Sequence, residues 1–224
     1  TVSAPGVTDP AGNPCVATVT LGIDADHTPA TLGTPNAPGR SVYLGNGDYY
    51  VQAGGSDIWG NADQGYTVLQ PWTGAFEATM RGVIMDNGQS WSKVGIMARV
   101  DNTAGSVNVM TVGTSNDGQN LESMQWRDVA DAASGSLPNG SDQVGERVHP
   151  ATWPNMWARL VRRDAATNVF EWWRSDDGIS WIKWGEHTIP DPVLPETLLV
   201  GLAGTSHINE EGAQDVLALL RNYT

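Results

Sequence analysis

Apolar side chains recur at every second position in short stretches of this chain, and turn-forming pairs interrupt them before a helix could run its course. In residues 75–84, AFEATMRGVI, Phe76, Ala78 and Met80 alternate with Glu77, Thr79 and Arg81. Successive side chains of a β-strand point to opposite faces, so this pattern describes a strand with one face buried. Comparable runs occupy residues 93–100, 106–112, 157–163, 168–175, 181–188 and 198–204. Asn46-Gly47, Asn87-Gly88, Asp117-Gly118 and Asp177-Gly178 supply the positive φ angles that tight hairpin turns need. No helix of normal length is legible, and 26 Gly and 13 Pro punctuate the chain. The expectation is an all-β, antiparallel two-sheet sandwich, for which 224 residues suffice as a single unit.

Charge narrows the partners. The formal net charge of -13 leaves no basic surface for nucleic acid, and Lys93 and Lys183 are the only lysines. No cluster of Lys and Arg suits an anionic membrane surface, and no apolar run approaches the roughly 20 residues that span a bilayer. The amino terminus lacks the pattern of a signal peptide, so the sequence reads as a mature, soluble, extracellular chain. Cys15 is the only cysteine and no internal disulfide can form. It reads as a small buried hydrophobe, with a bridge between chains as the alternative.

Two stretches depart from the strand rhythm. Residues 1–32 form an extended amino-terminal arm with one strand-like island at 15–23, CVATVTLGI, and the sandwich is assigned to 33–224. Cys15, Val16, Val19, Leu21 and Ile23 are the candidate assembly residues of that island, which could be donated to the sheet of another copy. Residues 128–155 form a polar excursion longer than most loops, expected to lie over one sheet.

From DIWGNADQGYTVLQPWTG at 57–74, through WSKVGIMARV at 91–100 and WARLVRRDAATNVFEWWRSDDGISW at 157–181, to VGLAGTSH at 200–207, the chain resembles a bacterial concanavalin-A-like lectin/glucanase (laminin-G-like) family found beside glycosidases and on cell-surface proteins. The resemblance covers about residue 33 to the end. It implies a jelly roll that holds sugar or protein ligands on a concave sheet or at its rim loops. Gln64-Gly65-Tyr66 stands where relatives place a further aromatic residue after the DIWG stretch, so the edge of an inherited site is rebuilt here.

Catalysis is not expected. Glucanases of this superfamily need paired carboxylates about 5–5.5 Å apart on one strand, and no strand offers that spacing. Glu210-Glu211 falls in a turn, and His27, His149, His187 and His207 lack the spacing of a zinc site. There is no serine elbow and no phosphate loop. Asp24 with Asp26, and Asp57 with Asp63, are read as turn-forming residues, so no metal and no cofactor are assigned.

The ten tryptophans carry the functional reading, because a flat indole can fill a core or stack on a sugar ring. Trp172 and Trp173 are strand neighbours, so one of them must leave the core. Strand parity places Trp157 and Arg159 outward, Arg99 against Ile96 and Ala98, and Glu171 with Trp173. If these strands are adjacent, Arg99, Arg159, Glu171 and Trp173 share one surface, and Trp157 and Trp59 join them as ligand-binding candidates. The alternative is a structural salt-bridge layer. The expected function is non-catalytic binding of a glycan or polysaccharide, or surface adhesion. A filament subunit joined by strand exchange is the second reading.

Overall fold

In a computed structural model the described residues are 25–86, 89–115, 121–137, 149–190, 194–210 and 216–221. Among them there are fifteen strands and no helix. The first sheet has the order β1 (Thr28–Leu32), β4 (Gly65–Thr73), β14 (Thr197–Thr205), β6 (Lys93–Arg99), β7 (Asn108–Thr114), β8 (Leu121–Arg127) and β10 (His149–Pro150), with β9 (Gly135–Leu137) also pairing β8. The second has the order β13 (Ile182–Thr188), β12 (Val169–Ser175), β11 (Met156–Arg162), β5 (Phe76–Asp86), β15 (Val216–Arg221), β3 (Asp48–Ala53) and β2 (Arg40–Gly45). Neighbouring strands are antiparallel in both sheets. The molecule is an all-β, two-sheet jelly-roll sandwich.

The core lies between the inner faces. Val94, Ile96 and Ala98 of β6 meet Ala78 and Met80 of β5, Ala158 and Leu160 of β11, and Phe170 and Trp172 of β12 in one buried cluster. These are the alternate positions that the sequence marks as apolar. Trp172 is the member of the Trp172-Trp173 pair that enters the core, 1% exposed. Removing such a side chain leaves a void and costs about 3–5 kcal/mol. The Asn46-Gly47 turn joins β2 to β3 with φ angles of 54° and 76°, the left-handed pair that matches strand twist.

Three expectations change or fall outside the described residues. Thr28–Leu32, assigned from sequence to the arm, pairs with Leu69–Gly65 of β4 and so is a strand of the first sheet. Pro29 and the flanking threonines conceal this strand from a reading of apolar period. Residues 1–24, including the 15–23 island with Cys15, Val16, Val19, Leu21 and Ile23, lie outside the described residues. Of the 128–155 excursion, β9 and β10 extend the first sheet by pairing with β8, and residues 138–148 lie outside the described ones.

Candidate functional site

The two outer faces differ in kind. Every residue of β6 and β7 is buried, including those that point away from the core. The cover is the loop from Gly54 to Gln64. Its Ile58 packs on the outward Met97, Met110, Val112 and Ala203 as a second apolar cluster. Asp63, 0% exposed, lies between two guanidiniums: Arg127 grips it with Nη2 on Oδ1 at 2.5 Å and Nη1 on Oδ2 at 3.0 Å, and Arg99 Nη1 stands 3.3 Å from Oδ2. Arg99 also donates to the carbonyls of Asp101 and Thr103, and Arg127 to those of Gly60, Ala104, Ser106 and Ala132. Burial pushes the Arg99 guanidinium down, and Asp63 opposes that shift.

At one end of this cover stands a polar cluster that strand parity alone does not reveal. Lys93 Nζ lies 2.7 Å from Asp57 Oδ1, and it also donates to Gln125 Oε1 at 3.2 Å. Burial lowers the Lys93 pKa against the pull of Asp57. His207 holds φ at 57°, a left-handed conformation rare for a residue with a Cβ, and its Nε2 stands 3.5 Å from Asp57 Oδ2. Trp59 lies over Lys93, with Nζ 5.7 Å from its ring centroid, and is 37% exposed. An exposed indole beside a carboxylate and an imidazole offers a stacking face with hydrogen-bonding groups at its rim.

The outer face of the second sheet carries a layer of charged and aromatic side chains. Arg159 of β11 stands opposite Trp173 of β12 and Thr79 of β5, and Trp157 stands opposite Arg81. The Arg159 guanidinium stacks 3.8 Å from the Trp181 centroid and pairs with Glu77 at 3.0 Å. Glu171 is the hub of this layer. It accepts from Arg163 at 2.7 Å, Lys183 at 2.9 Å and Trp173 Nε1 at 2.9 Å. Burial works against its charged form, but the bonds from Arg163, Lys183 and Trp173 prevail and hold its pKa at about 2.

Arg159, Glu171, Trp173 and Trp157 therefore share one surface, as parity predicts, but Arg99 does not join them. It points outward from β6 in the other sheet, on the opposite side of the molecule, beneath the loop that carries Trp59. Parity assigns a side chain to inside or outside and cannot say to which sheet a strand belongs. Asp57, Lys93, His207, Trp181 and Lys183 are the additional site residues. The DIWG stretch and the matching Gly88 to Trp91 and Gly178 to Trp181 spacings are the sequence signals for Asp57 and Trp181. Among the described residues no group of His, Cys, Asp or Glu could hold a metal ion.

No family model matches the chain, and no curated protein matches its sequence. Its structure superposes on a functionally unknown protein from Saccharomyces cerevisiae with a TM-score of 0.63 at 16% identity, over 89% of this chain and 95% of that one. A glycosyl hydrolase family protein from Mycobacterium fortuitum follows at 0.46 and 14%, over 90% and 93% of the two chains. Lectin II from Ulex europaeus stands at 0.44 and 11%, over 88% and 97%. The 0.63 superposition bears on the fold alone, a two-sheet antiparallel sandwich. Identities this low carry the architecture and leave the ligand to the side chains described above.

Proposed function

We propose that this chain is a non-catalytic, extracellular carbohydrate-binding sandwich that holds a neutral sugar on Trp59. The observation that carries the reading is the exposed indole beside Asp57 and His207, anchored from below by the buried Lys93. A pyranose stacked on Trp59 would place hydroxyls within reach of the Asp57 carboxylate and the His207 ring. The hub carboxylate of the second sheet supports a binding role over a hydrolytic one: Glu171 is held at a pKa of about 2. A glycosidase needs a carboxyl that keeps its proton near neutrality.

A glycan array followed by calorimetry on the best neutral sugar tests this. Trp59→Ala should weaken binding by about tenfold or more, equivalent to roughly 1.4 kcal/mol, with the melting transition retained. An array without signal, or equal affinity in the variant, would remove the proposal.

Assembly by strand exchange has one supporting feature among the described residues. β1 is the outermost strand of the first sheet and pairs there with β4 alone, while the chain behind Thr28 leads back to the 15–23 island.

A further inference from the structure

The accessible cations are segregated. Among the described residues Lys93, Arg99, Arg127, Arg162 and Arg174 are buried. The others are Arg40, Arg81, Arg159, Arg163, Lys183 and Arg221, and every one lies on the outer face of the second sheet. Arg159, Arg163 and Lys183 surround Trp173 and Glu171. Arg221 stands opposite Arg81 across the β15–β5 pair, and Arg40 opposite Gln52 across β2–β3. Asp48, Glu77, Asp86, Glu171 and Glu186 share the face, so six cations meet five carboxylates on a chain whose net charge is -13. Among the described residues, positive and negative charges on this face nearly balance.

The arrangement is graded as well as segregated. One row across the strands runs Lys183, Trp173, Arg159, and the next runs Trp157, Arg81, Arg221. These rows cross from β13 to β15, four inter-strand steps of about 4.8 Å each, or roughly 19 Å. Within the described residues Arg81 donates to neutral oxygens, the Pro154 carbonyl at 3.1 Å and Asn155 Oδ1 at 2.6 Å, and Arg40 to Gln52 Oε1 at 2.6 Å. Their charge is available to an external anion. Arg163 and Arg221 are about half exposed, at 54% and 48% of the side chain, so their surface ion pairs are weak and exchangeable.

We propose that this face is a second saccharide-binding surface, for an acidic polysaccharide lying across β13, β12, β11, β5 and β15. Guanidiniums take carboxylate or sulfate groups by forked hydrogen bonds, and Trp157 and Trp173 supply apolar contact to the sugar rings between them. A neutral chain would leave the cationic excess unused. The surface is independent of the Trp59 site, which lies on the opposite sheet.

The full-length chain is run in affinity electrophoresis through gels containing polygalacturonate, dextran sulfate or neutral dextran. At least one acid polymer should retard it and dextran should not, and retardation should fall by about tenfold in ~0.5 M salt. Retardation by polygalacturonate alone assigns carboxylate as the bound group, and by dextran sulfate alone assigns sulfate. The exposed pair Arg81→Gln/Arg221→Gln should lose about tenfold in affinity, whereas Trp59→Ala should keep it. Failure of both acid polymers, equal retardation by dextran, insensitivity to salt, or unchanged binding by the arginine double variant would each overturn the proposal. Because Trp59→Ala acts on the other site, loss of neutral-sugar binding leaves this result untouched.

Discussion

At the scale of single residues, two buried carboxylates each hold a set of cations in place. Asp63 has no exposure and is gripped by Arg127 and Arg99, so Asp63→Ala would strand two guanidiniums in the interior. Breaking a buried pair from one side costs about 3–5 kcal/mol, and urea unfolding of the variant should show a loss of that size. Glu171 reports on acid. Its pKa falls from an ordinary 4.5 to about 2 on folding, so its contribution is complete above pH 4.5 and is lost as pH falls from there toward 2. Urea midpoints measured across that window should decline in the wild type and decline less in Glu171→Gln. The parity that turns Glu171 outward is legible in NVFEWWRS, as is its neighbour Trp173 two residues on, but its other two donors come from β13 and from the loop after β11. Neighbours of that kind are set by topology, which local alternation does not encode.

Among the elements, seven of the fifteen strands are legible as alternating runs, and the loops are not. The seven alternating runs coincide with β5, β6, β7, β11, β12, β13 and β14. β15 escapes because its first five residues, VLALL, are apolar without alternation and rich in Leu and Ala, which favour helix. The loop between β12 and β13 shows what its Asp-Gly pair does in place of a two-residue turn. Asp177 Oδ1 accepts from the backbone of Ser180 at 2.7 Å and of Ile179 at 2.8 Å, bonds that push its carboxyl well below the usual range. Gly178 then takes φ at 74°, and a Cβ there would come 2.7 Å from the Trp157 ring. Gly178→Ala should cost about 1–2 kcal/mol in backbone strain alone. The displaced indole should also alter the near-ultraviolet dichroism; a variant with wild-type melting and spectrum would contradict this packing.

For the whole molecule, the sandwich and its inside-outside assignment could be inferred from period and turns, whereas the division of the candidate residues between two opposite faces could not. Arg99 illustrates the gap, being correctly outward and yet on the far sheet from Arg159. Assembly is also a question at this scale. If residues 15–23 complete the edge of another copy, a chain lacking residues 1–23 should remain folded and become smaller in light scattering; an unchanged mass would exclude strand exchange as the route. Among the described residues the accessible Arg and Lys lie on one sheet, and this has its own consequence. Near an anionic polymer the molecule would turn, as a dipole does, until that sheet faced inward, and the turn would present Trp59 to whatever lay on the outside. If both proposed saccharide surfaces hold, such a molecule would work as a rivet, fastening an uncharged glycan chain to a charged one.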